Sequence, residues 1–250
     1  MKNLTVTLLL FVFGITAYTQ HVPTLKPTGE RLTKVKSAAV KHFESGITNF
    51  KSKNFDQAKK DFQNAIDEDA SFAEAYINLS KIHEAEGDLN KAKEVLQNAI
   101  ASMIPLNERA FVQLGRVSYK MEDYDAAEFN FKQAVSLNNQ EDDYHYFAAV
   151  SLVQAYKYED AMIFFKKASE LDGSTRNKIG LSSGQIRNQK YDDAISTIKS
   201  ISAYESNPEA CLNLAIAYHN KQNSEETDKY LKMAQSNGAD KHAEFQNLFG

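Results

Sequence analysis

The sequence contains very little cysteine, glycine, proline or tryptophan. Its 250 residues include one cysteine, Cys211, and no tryptophan. A single cysteine excludes an internal disulfide framework and any cysteine-based zinc site. Glycine occurs 10 times and proline 4 times, which is about half the usual share of these turn residues. Because a β-sandwich or barrel of this length needs many more turns, the composition predicts a mostly helical chain.

The sequence also lacks a strong excess of charge of either sign. The formal net charge is -4, from 29 basic and 33 acidic residues. This balance gives no general attraction for nucleic acid, and nucleic acid is not expected among the partners. An aromatic share of 11% and an apolar share of 42% are too high for an intrinsically disordered chain. The composition therefore indicates a folded chain that does not bind nucleic acid.

The longest apolar run lies at the N-terminus, where residues 4–15 follow the single positive charge of Lys2. The small residues Thr16 and Ala17 close the run. A basic start, a short apolar middle and a small-residue exit are typical of a secretory signal peptide, which we assign to residues 1–20. A retained anchor and a buried helix are the alternatives, although the run is shorter than the roughly 20 residues of a membrane-spanning helix. We expect a periplasmic mature protein without a membrane span.

Residues 21–37 have a different composition, with Pro23, Pro27, Gly29 and several basic side chains. This pattern predicts an extended basic linker. The linker is either simply solvated or touches anionic lipid or a partner.

A pattern of aromatic and small residues recurs along the remainder of the chain. Its first copy reads Phe55-x-x-Ala58-x-x-x-Phe62-x-x-Ala65. The position of Ala58 recurs at intervals of 33 to 35 residues, occupied by Ala92, Ala127, Ala161, Ala194 and Thr227. A second series of small residues lies on the preceding helical stretch of each copy, at Gly46, Ser80, Gly115, Ala149, Ser182 and Ala215. We expect the small residues to lie where two helices cross closely, since a larger side chain there would force the backbones apart.

This pattern resembles the tetratricopeptide repeat, a helix–turn–helix unit of about 34 residues. The resemblance implies an all-α, right-handed α-solenoid of about six units within residues 38–250, because no unit can bury its apolar face alone. Copies five and six have fewer aromatic residues. Residues 241–250 are expected to form a closing helix. The six repeats are predicted at 39–72, 73–107, 108–141, 142–174, 175–207 and 208–240.

Residues 180–184 read Gly-Leu-Ser-Ser-Gly and match the G-x-S-x-G motif of serine hydrolases. That motif requires a strand before the serine, whereas the repeat places Ser182 inside a helix at a close-crossing position. We therefore interpret Ser182 as a packing residue. The six histidines form no ligand pair of the H-E-x-x-H type, and Cys211 is expected in the core. No catalytic residue, cofactor or metal is predicted.

The resemblance implies that the first helices of the repeats line a concave groove that holds a peptide or a helix of a partner. In this sequence the implied groove combines basic and apolar residues. A partner segment with apolar side chains and some aspartate, glutamate or a terminal carboxylate would suit it. A solvated wall, or binding through the convex face, the edges or the linker, are the alternatives. The predicted groove residues are Ile77, Lys81, Arg109, Val112, Gln113, Arg116, Tyr119, Lys120, Tyr146, Val150, Arg176, Ile179 and Arg187.

The function indicated is that of a non-enzymatic, exported interaction protein. It would act as a scaffold or accessory subunit of a bacterial periplasmic or outer-membrane complex, an assignment that rests on analogy. The alternative is a holdase-like chaperone that keeps unfolded clients soluble. We predict that charge reversal of Arg109, Arg116 and Lys120 weakens partner capture while the helical circular dichroism signal stays intact.

Overall fold

The computed structural model describes residues 35–102 and 107–239, and these residues form helices and turns without a strand. This confirms the all-α class predicted from the composition and the repeat. The predicted signal peptide, nearly all of the basic linker and the predicted closing helix at 241–250 lie outside the described residues. Within the described ranges, none of the helices has the length and apolarity needed to cross a membrane.

The described residues fall into two compact units, and the division in the chain lies between Asn139 and Gln140. Within each unit, helices that follow one another in the chain pack against each other as hairpins. The N-terminal unit contains α1 (Ser37–Lys51), α2 (Phe55–Glu68), α3 (Ala73–Ala85), α4 (Leu89–Ser102), α5 (Glu108–Lys120) and α6 (Tyr124–Leu137). The C-terminal unit contains α7 (Asp142–Gln154), α8 (Tyr158–Leu171), α9 (Thr175–Arg187), α10 (Tyr191–Lys199), a 3-10 turn (Tyr204–Ser206), α11 (Pro208–Asn220) and α12 (Ser224–Ser236).

The turn inside each hairpin has the same backbone conformation. One residue in every turn has a positive φ, at Lys53, Gly87, Glu122, Tyr156, Gln189 and Gln222. The left-handed region costs a non-glycine residue roughly 1–2 kcal/mol, yet only the second hairpin has glycine there. The turn is therefore imposed by the packing of the two helices rather than by local sequence preference.

The close crossing of the two helices in a hairpin depends on the small residues predicted from the sequence. A Cβ atom added at Gly46 would lie 2.7 Å from two ring carbons of Phe62, and one at Gly115 would lie 2.9 Å from Phe131. Ser182 is fully buried at the equivalent position of the fifth hairpin. The predicted packing role of these positions is confirmed.

A buried carboxylate ties α1 to α2. Asp61 is 5% exposed and accepts hydrogen bonds from Ser45 (2.7 Å), Asn49 (2.7 Å) and Gln57 (2.9 Å). Burial raises the pKa of Asp61, but these three donors outweigh it and the net effect is a lowered pKa. The first hairpin is thus held by a polar network as well as by its apolar core.

Candidate partner-binding site on the first helices

The predicted groove residues of the N-terminal unit lie on α3 and α5, which are the first helices of two successive hairpins. Most of them surround two buried glutamates, Glu74 and Glu84, which are 3% and 9% exposed. We call this group the α3–α5 face. It is defined by the residues Glu74, Lys81, Glu84, Arg109, Gln113, Arg116 and Lys120.

The two glutamates of the α3–α5 face pair with side chains of α5. Nη1 of Arg109 lies 3.6 Å from Oε1 of Glu74. Nζ of Lys120 lies 2.6 Å from Oε1 of Glu84, and Nε2 of Gln113 donates to Oε2 of Glu84 at 2.7 Å. Arg109, Gln113 and Lys120 are therefore already engaged within the unit and help to hold its second and third hairpins together.

Lys81 is the most buried cation of the face, with 4% exposure, and Gln113 is 3% exposed, which corrects both as accessible wall residues. Burial, together with repulsion from Arg116 and Arg109, lowers the pKa of Lys81 to about 7, against a partial rise from Glu84. The face thus combines four basic side chains, of which Lys81 is only partly protonated near pH 7, with two carboxylates in a chain whose net charge is negative. An added negative charge near Lys81 and Arg116 would relieve this repulsion.

The remaining predicted residues of the N-terminal unit differ in accessibility. Ile77 is fully buried and packs with Leu114 and Val117 in an apolar cluster. Its side chain belongs to the core, which corrects its placement on an accessible wall. Val112 and Tyr119 are half-buried, and the Tyr119 ring meets the edge of Tyr124 at 5.3 Å between centroids.

In the C-terminal unit, Arg176 is engaged with α7. Its Nη2 lies 2.8 Å from Asp142 and 2.6 Å from Asp143, and its guanidinium lies 4.5 Å from the centre of the Tyr146 ring. The adjacent Asn177, which is fully buried, donates to Asp142 at 2.7 Å. These contacts fix the first turn of α7 against α9, so Arg176 has an internal role in the repeat stack.

The other predicted residues of this unit are also largely internal. Tyr146 is 3% exposed and Val150 is fully buried, which corrects both as accessible wall residues. Ile179 packs against an apolar cluster that contains Ile198 and Leu214. The guanidinium of Arg187 lies 4.7 Å from the centre of the Tyr158 ring. The α3–α5 face is accordingly the better candidate for recognition of a partner.

The serine motif at residues 180–184 lies inside α9. The hydroxyl of Ser182 donates to the carbonyl of Ile179 at 2.8 Å and accepts from Nδ2 of Asn213 at 3.0 Å. This geometry lacks the strand-to-helix turn of a hydrolase nucleophile. In the described part of the chain, histidine, cysteine and acidic side chains form no group of three that could hold a metal ion. Cys211 is buried, as expected.

Three acidic residues are functional candidates that the sequence reasoning did not single out, namely Glu74, Asp143 and Glu209. They share one repeat position, the second residue of a first helix, with Arg109 and Arg176. The sign of the charge alternates along the chain at this position, in the order Glu74, Arg109, Asp143, Arg176 and Glu209. We call this series the charge ladder. Aligning the repeats by their first helices, and not only by the alanines of their second helices, would have found it.

Comparison with known proteins supports the assignment of the repeats. Residues 49–103 and 108–141 each match a family profile described as tetratricopeptide repeat. Among solved structures, YrrB, described as a tetratricopeptide repeat protein with an unusual peptide-binding site, is similar at 22% identity and a TM-score of 0.64. That match covers 74% of this chain and 96% of YrrB.

Two further structures show the same fold at lower identity. PilF of Pseudomonas aeruginosa is 18% identical with a TM-score of 0.65, over 84% of this chain and 96% of PilF. A tetratricopeptide repeat protein from Parabacteroides merdae is 14% identical with a TM-score of 0.65, over 81% of this chain and 80% of that protein.

Proposed function

We propose that this chain, which is a tetratricopeptide repeat protein, binds a partner polypeptide at the α3–α5 face and serves as a scaffold or accessory subunit of a bacterial envelope complex. The repeat fold supports a role in protein–protein interaction. The partner segment would carry apolar side chains together with aspartate, glutamate or a terminal carboxylate. The protein would contribute binding and no catalysis.

The observation that carries this proposal is the concentration of basic side chains on the α3–α5 face of a chain whose net charge is negative. Lys81 and Arg116 repel each other in a mostly buried setting, and this repulsion contributes to the lowered pKa of Lys81. A partner carboxylate near these two side chains would offset the repulsion and gain a charge-assisted hydrogen bond. YrrB, a similar fold, is described as having a peptide-binding site, which adds support for a peptide as the ligand.

The envelope location is supported by the sequence of residues 1–20, which has the three parts of a secretory signal. Cell fractionation and N-terminal sequencing of the purified mature protein test this part. A mature N-terminus close to residue 20 in the periplasmic fraction is the expected result. An intact Met1 in the cytosolic fraction would contradict it.

Site-specific photo-crosslinking tests the binding face. We expect benzoylphenylalanine at Tyr119, on α5, to crosslink one discrete partner in cells. The same group at Phe129, an aromatic residue on α6 with 60% exposure, is the matched control and should not do so. A partner captured at position 129 and absent at position 119 would refute the proposed face.

A charge variant then tests the chemistry of the face. Reversal of Arg109 or Lys120 would place a carboxylate beside buried Glu74 or Glu84 and would disturb folding as well as binding. Arg116→Gln avoids this problem and should reduce the crosslink at position 119. The control is Lys132→Gln on α6, since Lys132 pairs with Glu128 on the same helix. An equal reduction by both variants would argue against an acidic partner segment.

The holdase-like alternative predicts a different crosslinking pattern. A holdase would yield many clients at position 119, whereas a scaffold yields one partner. The large apolar side chains that are exposed in the described residues are Phe129, Leu137, Tyr156 and Ile163. This is little exposed apolar surface for general client binding, so the scaffold is the function that the structure supports better.

A further inference from the structure

Arg187, the last residue of α9, is a half-buried cation that no carboxylate neutralises in the part of the chain that the structure describes. Among the described residues, its Nε is buried and has no hydrogen-bond acceptor. Burial lowers the pKa of Arg187, against partial rises from Tyr158 and Tyr156. Glu159 and Asp160, in the first turn of α8, are exposed and are not among the groups that act on this pKa. Because arginine stays protonated in folded proteins, the side chain keeps a charge that has lost part of its hydration.

The repeats show which group is missing beside Arg187. Lys120 is the last residue of α5, as Arg187 is of α9. Nζ of Lys120 lies 2.6 Å from Oε1 of Glu84, the next-to-last residue of the preceding first helix. On α7, which precedes α9 in the same way, the next-to-last residue is Val153. Within the repeats that the structure describes, the carboxylate that neutralises Lys120 thus has no counterpart for Arg187.

Two tyrosines lie next to this unneutralised charge. The guanidinium of Arg187 lies 4.7 Å from the centre of the Tyr158 ring, and stacking of this kind restricts its orientation. The Tyr156 ring meets Tyr158 edge-on at 6.2 Å between centroids and is 77% exposed. A fixed guanidinium therefore lies beside an aromatic ring that is open to solvent.

The turn does not require a tyrosine at position 156. The φ of Tyr156 is 60°, in the left-handed region that costs a residue other than glycine roughly 1–2 kcal/mol. The other five described hairpins have a glycine or a polar residue at this turn position, namely Lys53, Gly87, Glu122, Gln189 and Gln222. The exposed ring thus contributes nothing that the turn needs, and it offers an apolar surface to a partner.

We propose that Arg187, Tyr156 and Tyr158 form a second binding site, which takes a partner carboxylate that is flanked by an apolar side chain. The carboxylate would pair with Arg187 as Glu84 pairs with Lys120, and the apolar neighbour would cover the Tyr156 ring. A guanidinium can bind a carboxylate through two parallel hydrogen bonds, and these bonds are stronger at a half-buried position than in water. Arginine and tyrosine are also the types that dominate binding energy at interfaces.

This site lies wholly within the C-terminal unit, and none of its residues belongs to the α3–α5 face. Either proposal can therefore fail without the other. The partner carboxylate is that of an aspartate or glutamate side chain, or that of a chain terminus. The experiment below separates these two sources.

The probe is the peptide acetyl-Gly-Leu-Glu-Leu-Gly-amide, and the control peptide has glutamine in place of glutamate. Nuclear magnetic resonance of the isotope-labelled protein should show shifts at residues 153–158 and 185–190 during titration. We expect the affinity read from these signals to fall about tenfold or more with the glutamine peptide or with Arg187→Gln, which is the size of a charged hydrogen bond. Binding at the α3–α5 face is read separately, from the signals of α3 and α5.

A third peptide, acetyl-Gly-Gly-Leu with a free C-terminus, presents a terminal carboxylate. Arg187-dependent binding of the glutamate peptide assigns the site to an acidic side chain. Arg187-dependent binding of the third peptide assigns it to a chain terminus. Either result supports the proposal.

Two further variants complete the test. Tyr156→Ala changes an exposed side chain and should weaken binding of the glutamate peptide about twofold to tenfold. Lys190→Gln is the matched control, because Lys190 is an exposed cation of the adjoining turn, and it should leave the affinity unchanged. An equal loss with Lys190→Gln and Arg187→Gln would indicate general charge attraction and would overturn the proposal. Equal binding of the glutamate and glutamine peptides, or no shift at residues 153–158 with any peptide, would overturn it as well.

Discussion

Replacing Gly46 with alanine tests the close crossing of α1 and α2. In an ordinary helix interior this change stabilises by about 1 kcal/mol, because alanine is the better helix former. At Gly46 the new methyl group would lie 2.7 Å from Cδ1 and Cε1 of Phe62, whereas carbon atoms normally stay about 3.5–4.0 Å apart. The added methyl group therefore stabilises the protein through helix propensity and destabilises it through overpacking.

The Phe62 ring has little room to withdraw. It is fully buried and its centroid lies 5.6 Å from that of Phe43. Phe43 in turn packs on Phe72 at 4.8 Å. Overpacking in such a setting costs about 1–3 kcal/mol, which outweighs or cancels the gain of about 1 kcal/mol from helix propensity. We expect the free energy of unfolding to fall by roughly 0–2 kcal/mol.

A double-mutant cycle with Phe62→Leu separates the two effects. Leucine occupies the equivalent position in the second and sixth repeats, where Ser80 and Ala215 stand in place of the glycine. In the Phe62→Leu background, Gly46→Ala should become stabilising by up to about 1 kcal/mol. Urea denaturation followed by circular dichroism gives the four free energies of unfolding and hence the coupling energy. If Gly46→Ala stabilised both backgrounds equally, the ring would not limit the crossing and the packing argument would fail.

Three further changes test the polar interior. Asp61→Ala leaves three hydrogen-bond donors without an acceptor and should lower the free energy of unfolding by roughly 1–3 kcal/mol near pH 7. Because the pKa of Asp61 is lowered in the folded state, this loss of stability should become smaller as the pH falls through that pKa. The pKa of Lys81 is about 7 in the folded chain, against an ordinary value of 10.5. Between these two values the unfolded chain binds more protons, so the free energy of unfolding should rise with pH across that window. A pH series of urea denaturation should show a smaller rise for Lys81→Met. Glu209→Gln should raise the melting temperature of the protein at pH 7, since it removes a carboxylate whose pKa is raised by burial. The gain should disappear as the pH falls through that pKa. A lower melting temperature of the variant at pH 7 would show that Glu209 is already paired.

The hairpins were predictable from the sequence because their determinants are local and repeated. The small residues at Gly46, Ser80, Gly115 and their equivalents mark the crossing of two helices that are adjacent in the chain. The spacing of 33 to 35 residues then predicts each hairpin from the last. Residues whose role depends on only one neighbouring helix could therefore be assigned with a repeat pattern alone.

The faces of the first helices were harder to predict, since these helices have neighbours on several sides. Along α3 every residue from Ala73 to Glu84 is buried, so helical periodicity does not separate a core face from an accessible one. Ile77 consequently belongs to the core although it lies one turn from Lys81.

The fifth repeat differs for another reason. Its second helix, α10, ends at Lys199, and Ala203 has a positive φ. Ile201, the counterpart of Ala65 in the fifth repeat, therefore lies beyond that helix.

The polar residues of the first helices serve both stability and recognition, and this determines how binding must be measured. Arg109 and Lys120 neutralise buried glutamates within the N-terminal unit, so variants at these positions weaken the fold together with any partner contact. Arg116→Gln is the better probe, because it removes a charge that lowers the pKa of Lys81 and places no carboxylate beside the buried glutamates. A variant that is at least as stable as the wild type and yet binds less well would identify a recognition residue, which loss of binding alone cannot do.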